Sequence, residues 1–197
     1  MTTPYELATR DLGTTEIRGA VHNDTIVQYF ADVEHGWVKD DETAWCAAGM
    51  GSWHIQAGYS LSELPVKKDR LSAQSWRNVG AAVELKDLKP GDILVFRRGK
   101  PGSWQGHVGF ATGRIMGSKI EVRGGNQSNQ VKDSWYPMHS ANYELIAIRR
   151  MKPLVERTPH QVMRDEFMRG RGKAGSEIGL ITAIGAVALL IWRGLFG

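Results

Sequence analysis

Cys46 is the only cysteine in a chain of 197 residues, and it stands in the run Thr43-Ala44-Trp45-Cys46-Ala47-Ala48. His107 opens an apolar, strand-like run, Gly106-His107-Val108-Gly109-Phe110, and Asn126 follows in Gly124-Gly125-Asn126-Gln127-Ser128-Asn129. A cysteine, a histidine and an asparagine in that order fit a thiol hydrolase. The sulfur attacks a carbonyl, the imidazole takes the thiol proton, and the amide holds the imidazole in the useful tautomer. A single cysteine also excludes an internal disulfide.

These residues need elements to hold them. A helix is predicted over residues 43–57, with Thr43 as its N-cap and Gly58 as its stop, which puts Cys46 at the third helical position. The unpaired N–H groups and positive dipole end of that first turn favour thiolate over thiol. His107 at the start of a strand is a rigid base, and Asn126 reaches its far nitrogen from beyond a flexible Gly124-Gly125 pair. His54 follows Cys46 by eight residues on the same helix, roughly 12 Å along the axis, too far to be its base. Trp45, Trp76 and Trp104 are the expected cleft walls, with Gln127 as an amide donor to substrate, while Trp53 is expected in the core. Taken singly, a cysteine among Ala and Trp reads as a small buried hydrophobe, His107 as a satisfied strand-end histidine and Asn126 as a turn former. Their order and placement together favour catalysis.

The surrounding pattern is that of an α+β domain. Residues 1 to about 60 read mainly helical, with a helix-period pattern over 14–30, and 61–83 form a mixed connector containing Pro65. After the turn Lys89-Pro90-Gly91-Asp92, strands are expected at 93–96, 107–112, 119–123 and 144–149, punctuated by glycine-rich or polar turns.

The runs around Cys46, Gly106-His107-Val108 and Gly124-Gly125-Asn126-Gln127, with Gly91-Asp92-Ile93-Leu94-Val95-Phe96, resemble the bacterial and phage CHAP-type peptidases, the cysteine- and histidine-dependent amidohydrolases/peptidases. The resemblance covers roughly residues 5–150. It implies a papain-like core and cleavage of peptidoglycan, with Cys46 as nucleophile, His107 as general base and Asn126 as imidazole orienter. Many relatives carry an acid two positions before the asparagine. Here that place is Gly124, so either Asn126 orients the ring alone or Gln127 shares the task. Some relatives bind calcium near the cysteine helix; here Asp40, Asp41 and Glu42 are read as complements of the helix dipole, and no metal or other cofactor is expected.

Charge and hydropathy divide the chain. Residues 1–148 hold 16 Lys/Arg and 17 Asp/Glu, whereas 149–173 hold eight basic and three acidic residues. The basic pI of about 9.3 therefore belongs to a connecting segment and not to a folded face, which argues against nucleic-acid binding. The division expected is a catalytic domain at 1–151, a basic linker at 152–177 and a hydrophobic segment at 178–197. Residues 178–192 contain Thr182 as their only polar side chain, short of the roughly 20 residues that span a bilayer comfortably. Flanked by basic residues and Trp192, the segment is expected to be a weak transmembrane helix. The N-terminus shows no basic patch followed by an apolar run, so no cleavable secretion signal is expected.

The leading functional reading is an endolysin or prophage lysis enzyme, cutting an amide bond in or next to the stem peptide. It would be made in the host cytoplasm, held at the inner membrane by the C-terminal helix, and admitted to the wall after a breach by a partner such as a holin. The alternatives are a catalytically silent phage structural or tail protein with the same core, and a papain-like peptidase or acyltransferase acting on another substrate.

Overall fold

The computed structural model describes residues 1–154. Nearly all of the expected linker and the whole of the apolar segment at 178–197 lie outside the described residues. Among the described residues, no helix is long and apolar enough to cross a membrane.

Thr3, Pro4 and Glu6 start helix α1, Pro4–Arg10. The Thr3 hydroxyl accepts from the Glu6 N–H and the Glu6 carboxylate accepts from the Thr3 N–H, at 3.2 and 2.7 Å, which satisfies two otherwise orphaned donors. Helix α2, Asp24–Asp32, is capped by Asn23, whose side-chain oxygen accepts from Thr25 N–H at 3.0 Å. The helical period read over 14–30 is thus realised only from Asp24. Upstream, the chain is drawn into pairing with the segment around Gln130: Glu16 N–H donates to Asn129 C=O and Val131 N–H to Thr14 C=O.

Helix α3, Cys46–Ala57, begins later than the sequence predicts. Thr43 is not its cap. The Asp40 carboxylate takes the Thr43 N–H at 2.7 Å and forms a turn there, while the fully buried Trp45 occupies the cap position without a side-chain bond. Burial of a large indole has overridden the local preference for a Ser or Thr cap. The helix stops as expected at Gly58, whose φ of 105° only glycine adopts readily. In the connector after α3, Arg70 donates to the carbonyls of Leu61 and Pro65 and pairs with Glu34 at 2.5 Å. Two 3-10 turns follow, Lys67–Asp69 and Ala73–Asn78.

Six strands then build one antiparallel sheet: β1 Ala81–Ala82, β2 Ile93–Arg98, β3 Gly106–Met116, β4 Lys119–Gly124, β5 Lys132–Pro137 and β6 Tyr143–Arg150. Their spatial order is β1-β6-β2-β3-β4-β5. The four strands expected from sequence are present; β1 and β5 are additional. The Gly91-Asp92 pair before β2 has a structural role. Gly91 takes a φ of 89°, and the Asp92 carboxylate accepts from Lys89 N–H and binds Arg150 through two bonds of 2.6 and 2.8 Å, tying the start of β2 to the end of β6.

The sheet curls. After β5, Met138 and Ser140 turn back onto the start of β6, with Leu145 N–H donating to Met138 C=O at 2.8 Å. Leu94, Phe96, Ala111, Ile120 and Val122 fill the inside of the curl. The opposite face, with Ile93, Val95, Val108 and Phe110, packs on the three helices around Tyr29, Phe30, Met50 and Trp53. Alternation along β2 and β3 thus feeds two separate cores.

Gly51 sets how closely α2 and α3 approach, since a Cβ there would lie 2.4 Å from Cγ1 of the buried Val33. Glycine inside a helix ordinarily costs up to about 1 kcal/mol relative to alanine, so alanine would stabilise an open site. Here the contact decides the sign. Gly51→Ala should destabilise the fold by about 1–3 kcal/mol in urea unfolding, and Val33→Ala in the same chain should recover part of that loss. A stabilised Gly51→Ala protein would contradict this packing.

Candidate active site

Cys46 is the first residue of α3, and it retains partial exposure at the edge of the helix-side core. The backbone N–H groups of Val108, Ala47 and Cys46 itself lie close enough to its sulfur to favour the thiolate. Val108 is the neighbour of His107 on β3, so the helix end and the histidine strand lie side by side. Burial nevertheless raises the thiol above its ordinary range, and the N–H donors and the nearby charge of Arg98 only partly oppose it. The helix-end stabilisation expected from sequence is present but smaller than the desolvation. The resting sulfur is a thiol.

His107 faces the inside of the curl, since it pairs with Phe96 across β2 and β3. It is 5% exposed, and its ring stacks on Tyr136 of β5 with centroids 5.0 Å apart and planes 11° from parallel. Burial, reinforced by the positive charge of Arg98, pushes its pKa down to about 4, against a contact with Gln127 that acts in the opposite direction. At neutral pH the imidazole is therefore uncharged and able to accept a proton. Among the described residues no hydrogen bond joins it to Cys46; such bonds are often long before substrate binds and tighten in the complex.

Of the two amides expected to orient the ring, Asn126 alone or with Gln127 sharing the task, Gln127 is the more deeply buried. Gln127 is 2% exposed, and its NH2 group donates to the carbonyls of Val122, Gly124 and Lys132. Only the NH2 end of an amide can bond to three carbonyls, so the amide orientation follows from its neighbours. Its oxygen is left buried and unpartnered, and so is Nε2 of His107. The two stop short of an ordinary hydrogen bond yet are close enough for Gln127 to favour the protonated imidazole. An acceptor oxygen near Nε2 favours the tautomer with hydrogen on that nitrogen. Asn126 sits in a left-handed turn, φ 55°, together with Ser128 and Asn129, and its side chain makes no hydrogen bond among the described residues.

The Gly124-Gly125 pair is a close-approach site and not a flexible joint. A Cβ on Gly125 would come within 2.3 Å of the Trp45 ring, and one on Gly124 would sit 3.6 Å from Nε2 of His107. A side chain at Gly125 would collide with Trp45, and one at Gly124 would crowd the backbone of Val108 and Gly109, 3.3 Å away.

The aromatic walls are also redistributed. Trp45 is fully buried, its indole N–H donating to Glu16 at 2.8 Å. Trp76 is 1% exposed and packs on the His54 ring at 5.2 Å, so it belongs to the core. Trp53 lies in the core, as expected, and His54 is a buried histidine bonded through Nδ1 to Met50 C=O. Only Trp104, 84% exposed in the loop between β2 and β3, has the accessibility a cleft wall requires. Tyr136 and Arg98 were not singled out from sequence. Tyr136 lies on an unrecognised strand, and Arg98 becomes visible only through cross-strand register.

The acids before α3 are occupied. Asp41 is fully buried and accepts from the N–H groups of Ile17 and Asn23, both at 2.8 Å, and contacts His22 at 3.1 Å. Asp40 holds Thr43. Among the described residues, no group of three or more His, Cys, Asp or Glu side chains is placed to hold a metal ion.

This geometry separates Gln127 from Asn126 by experiment. Gln127→Ala should lower Cys46-dependent hydrolysis on the order of ten- to hundred-fold or more by freeing the imidazole, while Asn126→Ala should stay within about three-fold of wild type. Rates are to be compared where circular dichroism shows each variant folded. The reverse ranking would restore Asn126 as the orienter.

Matched against protein-family models and against curated proteins, the chain gives no match in either comparison.

Proposed function

We propose that the protein is a peptidoglycan hydrolase with a papain-like catalytic core, cutting an amide bond in or next to the stem peptide. The observation that carries this reading is the convergence of three groups: a partly exposed cysteine at a helix start, a neutral histidine on the adjoining strand, and an amide oxygen behind that histidine. The substrate class rests on the resemblance of the motif runs.

The chemistry then proceeds in balanced steps. Nδ1 of His107 takes the Cys46 proton as sulfur bonds to the amide carbon. The N–H groups at the start of α3, unpaired within the helix, are the donors this reading assigns to the developing oxyanion. Collapse breaks the C–N bond, and the departing amine receives the proton from the imidazolium, leaving a thioester on Cys46. Water, deprotonated by the same imidazole, attacks the thioester; the acid product leaves and the thiol is restored. Because thiol and imidazole are both neutral at rest, proton transfer and attack are coupled in the first step.

Digestion of purified peptidoglycan, with mass analysis of the fragments, tests the reading. Wild type should release fragments carrying one new amine and one new carboxyl end. Cys46→Ser and His107→Ala should each lose several orders of magnitude in rate, because members of a catalytic unit are not additive. The base must be uncharged to work, so the rate should fall as pH drops through about 4. Intact peptidoglycan after prolonged exposure to folded wild type, or cleavage that survives Cys46→Ser, would overturn it.

A further inference from the structure

Two consecutive arginines end β2 and have different surroundings. Arg97 is bound to Glu144 at 2.5 Å. Arg98 is exposed, and among the described residues it has no carboxylate partner. Its guanidinium lies over the ring of Tyr143, 5.8 Å from the centroid, and Tyr143 is its register partner on β6. Tyr143 meets Tyr136 edge-on at 5.4 Å, and Tyr136 stacks on His107 at 5.0 Å. A continuous aromatic path therefore runs from the catalytic imidazole to a guanidinium at the rim. The phenol of Tyr136 lies within electrostatic reach of Tyr143, Cys46 and Arg98 together, which puts all four groups in one neighbourhood.

The backbone around Arg98 is well held. Its N–H donates to Gln105 C=O at 2.9 Å, closing the base of the loop that carries Trp104. The Gln74 side chain donates to the carbonyls of Ser103 and Gln105, at 2.7 and 2.6 Å, and anchors that loop to the preceding 3-10 turn. A cation stacked on an aromatic face and mounted on fixed backbone is pre-organised. Its planar fork of donors matches a carboxylate and nothing in the described chain uses it.

Building on the hydrolase reading, we infer that Arg98, stacked on Tyr143, is a specificity-determining residue that binds a substrate carboxylate beside the scissile amide. The preferred substrate is thus an acidic stem peptide with its carboxylate free, and one whose carboxylate is amidated is disfavoured. Arg98 also contributes positive charge next to the thiol, and a bound carboxylate offsets that charge once substrate is in place. The site is thereby matched to anionic over neutral peptides before any bond is broken.

Binding tests this separately from cleavage. The Cys46→Ala chain is titrated calorimetrically with the peptide L-Ala-γ-D-Glu-L-Lys carrying a free α-carboxylate on the glutamyl residue, and with the same peptide as the α-amide. The free acid should bind about ten-fold tighter or more, as expected for a charge-assisted bidentate contact. In Arg98→Gln that preference should shrink to less than about three-fold, with an unfolding midpoint within about 2 °C because the side chain is exposed. Arg98→Lys should fall between the two, since it keeps the charge without the planar fork. Equal affinity for the two peptides, a preference that survives Arg98→Gln, or no binding of either peptide would each overturn the inference. Failure of the hydrolase reading would look different: intact peptidoglycan with wild type, while the acidic peptide still binds.

Discussion

The carboxylate of Asp11 is the interaction on which the helical side of the molecule depends. Asp11 closes the end of α1 through its backbone N–H, while its carboxylate accepts from the Tyr29 hydroxyl of α2 at 2.7 Å, from the Trp53 indole of α3 at 2.9 Å and from Arg10 at 2.8 Å. Burial pulls its pKa upward, and the hydrogen bonds from Arg10, Trp53 and Tyr29 more than reverse that, holding it below the ordinary carboxylate range. One anion thus joins three helices, and each donor loses a partner if it is removed. Breaking such a satisfied buried network leaves an uncompensated polar group in a low-dielectric setting, which is costly. The register of α3 follows from this contact, and so does the position of Cys46 at its start.

The sheet supplies the rest of the site by being curled. His107 alternates with Val108, so Val108 faces the helices while His107 points to the inside of the curl. There its ring stacks on Tyr136 of β5. The tight turn after β4 then brings Gln127 near the imidazole, with Gly125 giving the room that Trp45 requires and Gly124 passing close to the backbone of Val108 and Gly109. Burial also keeps the Cys46 thiol and the His107 imidazole neutral. The mechanism proposed above therefore starts from an uncharged pair, in place of a standing thiolate–imidazolium pair.

How far the sequence could be read depended on whether a feature was local. β2, β3, β4 and β6 were legible because apolar alternation and Gly or Pro turns mark them directly. β5 was not, since Lys-Asp-Ser-Trp-Tyr-Pro has little β-branched content and ends in proline, as suits an edge strand. The start of α1 is written in Thr3, Pro4 and Glu6, a local capping signature. The start of α3 was misread because burial of Trp45, a tertiary effect, outweighed the capping preference of Thr43. At the site, the elements that carry Cys46 and His107, a helix start and a strand, were legible from local pattern. The different burial of Asn126 and Gln127 accompanies a left-handed backbone turn at Asn126. The fates of Trp45 and Trp76 followed from packing volume, and the role inferred for Arg98 depends on its register with Tyr143; neither leaves a mark within a short window of sequence.

The central claim is that Cys46 carries the acyl group during turnover, and rapid acid quenching with peptide mapping by mass spectrometry reads this directly. Wild-type protein mixed with soluble muropeptide and quenched within the first turnovers should show the peptide containing Cys46 heavier by the mass of the acyl fragment. Hydroxylamine should remove that added mass, as expected of a thioester. Cleaved muropeptide accumulating while Cys46 stays unmodified at every quench time, with the adduct absent also when breakdown is slowed at low temperature, would contradict the account.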